Sequence, residues 1–247
     1  MSHTERPPES EQNQDDRARE PIFLLPGVVT VLGGLILAVH AASAFVFNAE
    51  TRLLFTVWFG FIPLRALSVD GLPGGVLPLL WTPFTHALLH ASWEHLLLNL
   101  AWFAIFATPV ARRYGSVRTV VIFFVSAAVG ALAFAATTLP ELQILVGASG
   151  GVAGLTGAAT RFMFQPVLFI RDPETGEPRV AGRRLASFGE LMANPKSRYF
   201  TLIWVVLNAA VPLLPAVTGA DVNIAWQAHL GGFFAGLLLA GLLERRG

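Results

Sequence analysis

The chain has 247 residues, of which 54% are hydrophobic and 13% are charged, and its mean hydropathy is +0.59. That balance excludes an ordinary soluble domain and predicts a protein that lies in a lipid bilayer. The formal net charge of +1 does not predict a nucleic-acid partner, and the lack of cysteine excludes disulfides, thiolate zinc sites and a cysteine nucleophile.

The first 20 residues form a polar segment. Residues 1–20 mix Glu, Asp, Gln and Arg and contain no large apolar residue beyond Met1. Such a segment cannot bury enough surface to fold, so the sequence predicts a disordered tail. It is also too polar for a signal peptide, which needs a basic start followed at once by an apolar run, so no cleavage is expected. Residues 21–247 are predicted to form one membrane domain.

Hydrophobic windows then recur along the chain, each near the ~20 residues that cross a bilayer core. The predicted fold class is therefore all-α, a polytopic membrane protein built as a bundle of six transmembrane helices. The fourth window is the weakest because it is rich in Gly and Ala and contains Arg161. The two segments between windows, 48–92 and 167–198, are predicted to be non-helical, and the apolar first one is expected to lie partly in the membrane interface. The windows are 22–47, 93–111, 118–138, 148–166, 199–215 and 224–243.

The distribution of positive charge predicts the orientation. With the N-terminus inside, all but Arg52 and Arg65 of the 17 Lys and Arg residues fall on the inner side. Because positive loops stay in the cytoplasm, both termini are predicted to be cytoplasmic, and spans two, four and six begin at the outer face. The Arg-rich, Lys-poor and Ala-rich composition favours a protein of a bacterial cell membrane, with an organellar membrane as the alternative.

Polar residues inside predicted spans are the candidate functional residues, because they are expensive to bury in lipid. Ser149 lies in a Gly-Ala-Ser-Gly string at the start of span four, and His229 lies near the start of span six. His95 and Asn99 are four residues apart, on one face of span two. A serine beside glycines also occurs at plain helix contacts, but a helix N-terminus suits an anion that forms at a serine.

Small residues predict that spans four and six pack closely. A neutral imidazole at His229, within reach of Ser149, would take the serine proton and return it to a leaving amine, while His95 and Asn99 could donate to the oxyanion. The two predicted strips are Ser149, Ala153 and Gly157 on span four, and His229, Gly232, Gly236 and Ala240 on span six.

With these motifs the sequence closely resembles the rhomboid family of intramembrane serine proteases. The resemblance covers spans one to six and is carried by three motifs in order, with the stretch Phe84–His90 before span two also similar to the family. The motifs are His95-Leu96-Leu97-Leu98-Asn99, Gly147-Ala148-Ser149-Gly150 and Ala228-His229-Leu230-Gly231-Gly232.

The resemblance implies a dyad of Ser149 and His229 without a carboxylate, with His95 and Asn99 in the oxyanion hole. It implies transmembrane protein substrates, cut in or near the span, and no cofactor or metal. Rhomboids commonly carry an aromatic residue four positions after the serine, packed on the catalytic histidine, and here that position is Ala153. Trp226 or Phe233 could replace that ring.

Three other interpretations remain open. His86 and His90 have the spacing of zinc ligands, but Ala87 stands where a zinc protease carries its glutamate, so a structural role between the outer loop and span two is favoured. An inactive rhomboid-like protein would bind membrane clients without cutting them, and a transporter is the third possibility. His40 and Asp221 are assigned no catalytic role.

Overall fold

The computed structural model describes residues 25–173, 175–213 and 224–244. The disordered tail predicted for residues 1–20 and the loop residue Asp221 lie outside the described residues. In the described part most of the chain is helical, in agreement with the predicted all-α class, and one small two-stranded sheet is present.

The long helices correspond to the predicted spans. Windows 22–47, 148–166, 199–215 and 224–243 match the first, fifth, seventh and eighth described helices, with ends that differ by up to six residues. The helices are α1 Gly27–Phe45, α2 Ala49–Phe59, α3 Thr82–Thr85, α4 Trp93–Thr138, α5 Ser149–Met163, α6 Phe188–Ala193, α7 Pro195–Ala209 and α8 Trp226–Leu242.

The second and third predicted windows form a single helical segment, α4, that folds back on itself at Gly115. There φ is 76° and ψ is 175°, a conformation essentially restricted to glycine. The rings of Phe103 and Phe123 lie 5.6 Å apart, although a straight helix would separate these positions by ~30 Å. Gly115 therefore divides α4 into two antiparallel arms, residues 93–114 and 116–138.

The prediction that segment 48–92 is non-helical is wrong. It contains α2, which begins because the Asn48 side chain accepts from the Thr51 N–H and Glu50 lies in the first turn. Short 3₁₀ turns and α3 follow. Apolar side chains of α2 such as Leu53 face outward, 62% exposed, so its helical pattern is masked by the lack of a buried face.

Segment 167–198 is also predicted to be non-helical, but its second half contains α6 and the start of α7. Val167–Arg171 (β1) pairs with Pro178–Arg183 (β2) in an antiparallel hairpin with an irregularity after Leu168. The helix α6 follows, with a capping box formed by Ser187 and Glu190. The helix α7 then begins at Pro195, four residues before the predicted span.

Two of the described helices are long and apolar enough to cross a membrane by length and composition. These are α1, with 19 residues, and α4, with 46 residues. The helices α5 and α7 have 15 residues each, and α8 has 17. All three are shorter than the ~20 residues that span a bilayer core without distortion.

The helix α5 lies at the centre of the molecule, with every residue from Gly150 to Phe162 buried. Its contact with α8 is backbone against backbone. A Cβ built on Gly236 would lie 1.8 Å from the Gly154 oxygen, and one on Gly232 would lie 2.0 Å from the Gly150 oxygen. The predicted strip on span four is therefore displaced by one residue at its first two positions, to Gly150 and Gly154, whereas the predicted glycines of span six are in contact.

The bend at Gly115 generates a prediction. A Cβ at Gly115 would meet no atom within 4 Å, so Gly115→Ala adds backbone strain alone, expected to cost about 1–3 kcal/mol. The matched control is Gly34→Ala in α1, where the Cβ position is equally open but the backbone is helical, and alanine should stabilise by about 0.5–1 kcal/mol. Thermal unfolding of both variants in one detergent measures the difference, and equal melting temperatures would contradict this role of the bend.

Candidate active site

Ser149 is the first residue of α5 and is half-buried. The residue two before it, Gly147, has a φ of 126°, and a Cβ there would lie 2.8 Å from two ring atoms of His95. Only glycine therefore lets the imidazole of His95 approach the chain that leads into Ser149. The free N–H groups of the first helical turn lie at the same place.

His95 and Asn99 lie on one face of α4, as the spacing predicts. His95 is half-buried and its backbone N–H donates to the Ser92 hydroxyl, which caps the helix. Asn99 is 7% exposed, and its Nδ2 donates to the His95 carbonyl at 2.9 Å. One of the two amide hydrogens of Asn99 is thus used within the helix.

His229 lies in the first turn of α8, the helix that packs against α5. A Cβ on Gly150 would lie 3.4 Å from the Ala228 oxygen, so the residues adjacent to Ser149 and His229 are in contact. Within the described part of the chain no hydrogen bond joins the Ser149 hydroxyl to the imidazole. Catalytic hydrogen bonds are often long in a free enzyme and shorten when substrate binds.

The imidazole of His229 has a partner that the sequence analysis missed. Its Nδ1 lies 2.7 Å from Oδ1 of Asn208, in the last turn of α7. The sequence did contain a signal for Asn208, because it is a polar residue within the predicted span 199–215. Polar residues within spans were the criterion for the other candidates. It was missed because no motif surrounds it and its partner lies 21 positions away.

His86 and His90 contact different groups. Nε2 of His86 lies 3.4 Å from the Ala127 oxygen in the second arm of α4, and Nε2 of His90 accepts from the Ala148 N–H at 3.3 Å. Burial lowers the pKa of His90 to about 3, with further lowering by charge at His95, so its ring is a neutral acceptor at physiological pH. The pair thus ties segment 48–92 to the second arm of α4 and to the chain before Ser149, and the ring of His90 also contacts that of His95 in span two, with centroids 5.0 Å apart.

The space beside Ala153 is filled. Ala153 packs in one buried cluster with Phe233, which is fully buried and stacks on Trp204 of α7 with ring centroids 4.2 Å apart. Phe233 was one of the two residues considered as a replacement for the missing ring, and Trp226 is half-buried at the start of α8. The aromatic rings near Ala153 are therefore those of Trp204 in α7 and Phe233 in α8.

A family model for the Rhomboid domain matches residues 78–246 of this sequence. The chain belongs to the rhomboid family. The match includes all four predicted site residues and begins after α2, so it leaves out the first two helices. Membership in the rhomboid family makes the chain an integral membrane protein, in accord with the apolar helices α1 and α4.

Two similar proteins carry rhomboid names. "Rhomboid protease GlpG" of Haemophilus influenzae is 25% identical over 158 residues, which cover 64% of this chain and 67% of that protein. "RHOMBOID-like protein 1" of Arabidopsis thaliana is 29% identical over 160 residues, which cover 64% of this chain and 33% of that protein. The chain thus spans about a third of the length of the plant relative.

The glycine contact of this rhomboid-family chain can be tested directly. Gly236→Ala would place a methyl carbon 1.8 Å from the Gly154 oxygen, and the helices must separate to admit it. Overpacking of this kind is expected to cost about 1–3 kcal/mol and to displace His229 from Ser149. In the control Gly241→Ala, also in α8, the new carbon would lie an ordinary 3.7 Å from Arg161. Thermal unfolding should separate the two variants, and similar melting temperatures would show that the contact is not tight.

Proposed function

We propose that the chain is an intramembrane serine endopeptidase that cleaves transmembrane protein substrates in or near their membrane span. The observation that supports the proposal is the crossing of α5 and α8, where Gly150, the neighbour of Ser149, contacts Ala228, the neighbour of His229. Membership in the rhomboid family and similarity to a protein named as a rhomboid protease support it.

In the proposed reaction Ser149 is the nucleophile and His229 the general base. Nε2 of His229 takes the hydroxyl proton as Oγ attacks the scissile carbonyl, and the imidazolium then donates that proton to the leaving amine. Water then attacks the acyl-enzyme with His229 again as base, the ester bond to Oγ breaks, and the imidazolium returns the proton to Oγ of Ser149. No metal or cofactor takes part in these steps.

The negative charge that develops on the carbonyl oxygen needs donors already in place. His95, Asn99 and the backbone N–H of Ser149 are proposed to supply them. The Gly147 backbone brings the His95 ring to this position, and the free N–H groups at the start of α5 add the positive end of a helix dipole.

The proposed membrane arrangement has six spans, formed by α1, the two arms of α4, α5, α7 and α8, with both termini in the cytoplasm. The short helix α5 fits this arrangement because it is enclosed by other helices and need not match the bilayer itself. The exposed apolar side chains of α2 suit the membrane interface.

An inactive rhomboid-like protein that binds membrane clients is the second candidate. Among the described residues no hydrogen bond joins the Ser149 hydroxyl to the imidazole of His229, and this observation favours the second candidate. Reaction with a serine-directed fluorophosphonate distinguishes the two functions, because only an activated Ser149 would be labelled, and Ser149→Ala provides the control.

The dyad predicts a pattern of activity loss. Ser149→Ala and His229→Ala should each abolish cleavage of a model transmembrane substrate while the melting temperature stays close to that of the wild type, because each removes half of one catalytic unit. Asn99→Ala should be milder, with a loss of up to about 10²–10³ in rate, the usual worth of one oxyanion donor. Retained cleavage in either dyad variant would refute the mechanism, and an unchanged rate for Asn99→Ala would remove that residue from it.

The orientation can be tested with single cysteines, because the chain contains none. Val180→Cys in β2 and Ala66→Cys in segment 48–92 both replace exposed residues. A membrane-impermeant maleimide applied to intact cells should label Ala66→Cys and leave Val180→Cys unlabelled until the membrane is opened. The opposite pattern would reverse the proposed orientation and place Ser149 toward the cytoplasm.

A further inference from the structure

The side-chain amide of Asn208 contacts the ring of His229 on the edge that the proposed mechanism does not use. Oδ1 of Asn208 lies 2.7 Å from Nδ1 of the imidazole, the shortest distance expected for such a bond. Both side chains are half-buried, so water competes weakly for this contact. The proposed proton transfer uses Nε2, on the opposite edge of the ring.

The orientation of the Asn208 amide is fixed by a second bond. Nδ2 donates to the Trp204 carbonyl at 2.9 Å, one turn back in α7. The nitrogen of the amide therefore faces its own helix, and the oxygen faces His229. Because an amide oxygen only accepts, Nδ1 of the imidazole must carry a hydrogen, and the neutral ring then has its free lone pair on Nε2. This is the tautomer that a general base for Ser149 requires.

The contact is part of the helix packing. In α7, Trp204 and Asn208 are four residues apart, and their partners Phe233 and His229 in α8 are also four apart, in reverse order. Two successive turns of antiparallel helices thus meet, first ring on ring and then amide on imidazole. The stacked pair of Trp204 and Phe233 sets the register that brings Asn208 to His229.

We propose that Asn208 is a positioning residue for His229, which selects its Nδ1–H tautomer and holds its ring toward Ser149. The inference rests on the proposed proteolytic function. It assigns to an amide on α7 the orienting role that an aromatic ring at position 153 would otherwise have, since Ala153 has no ring. The arrangement is similar to catalytic triads in which a third side chain, such as an amide, orients the imidazole that activates the nucleophile.

The bond should matter more in the transition state than in the free protein. When His229 accepts the serine proton it becomes positively charged, and its Nδ1–H then donates to Oδ1 as a charge-assisted bond. Such bonds are about twice as strong as neutral ones, so the loss of Asn208 should lower kcat and leave KM nearly unchanged. A residue that only joins α7 to α8 would not give this division.

The experiment compares Asn208→Leu, Asn208→Asp and the control Leu207→Ala in the full-length protein. Leu207 is the preceding residue of α7 and is 65% exposed, so its replacement tests the helix without touching His229. We expect Asn208→Leu to lower kcat by about tenfold to a hundredfold, the range for one hydrogen bond to a charged group, and Leu207→Ala to leave it unchanged. Active molecules are counted with a fluorophosphonate so that misfolded protein does not enter kcat.

The pH profile gives the second measurement. The titratable group of α4 whose charge acts on His229 is His95, and the ring centroids of His95 and His90 lie 5.0 Å apart. From α7 the neutral side chain of Asn208 contacts the His229 ring. A carboxylate in Asn208→Asp would favour the imidazolium and move the acidic limb of the kcat profile upward by about one pH unit or more. In Asn208→Leu the limb should move toward lower pH, because the imidazolium loses an acceptor.

A third measurement does not depend on activity. In ¹⁵N-histidine spectra, with the signal of His229 assigned from His229→Gln, the wild type should show Nδ1 protonated and Nε2 bare, and Asn208→Leu should show a mixture of tautomers. An unchanged tautomer, or an unchanged kcat together with an unmoved pH limb, would overturn the role of Asn208. A wild type that neither cleaves nor reacts with the fluorophosphonate would instead refute the proposed function, and the spectra would still decide the role of Asn208.

Discussion

The close contact between the backbones of α5 and α8 is the constraint on which the rest of the molecule depends. In lipid, helices gain little from hiding apolar side chains from one another, so they associate through van der Waals packing and close approach. Gly154 and Gly236 allow such an approach, since a single methyl carbon at Gly236 would collide with the opposing carbonyl. The position of Ser149 relative to His229 follows from this contact and not from a bond between them.

Polar contacts hold the opposite end of the same helices. Arg161, the charge that made span four the weakest prediction, is 7% exposed and donates to the carbonyls of Ala186 and Leu237 at 2.7 Å each. Nearby, Arg113 beside the bend of α4 forms an ion pair with Glu244 after α8. The guanidinium of Arg161, near the end of α5, thus donates to carbonyl oxygens of α8 and of the segment before α6, so it does not argue against a helix there.

Much of the architecture was predictable because it rests on local chemistry. Long apolar windows identify α1, α7, α8 and both arms of α4, and the motifs around Ser149 and His229 identify the family. The details that failed depend on contacts between distant residues. The pairing of Gly154 with Gly236 was displaced by one position at span four, because composition shows that small residues are present but not which of them face the neighbouring helix. Asn208 escaped notice because its meaning comes from a ring on another helix.

The placement of the proposed site near helix ends has a consequence for the second half of the reaction. His95 is the third residue of α4, Ser149 the first of α5 and His229 the fourth of α8. With a rise of about 1.5 Å per residue, all three lie within roughly 6 Å of the ends of their helices. Hydrolysis consumes one water molecule for every peptide bond, and hydrocarbon supplies none. In the proposed arrangement these helix ends face the outer side, so Ser149 can meet a peptide that enters from the lipid while the water that releases the acyl group arrives from the aqueous side.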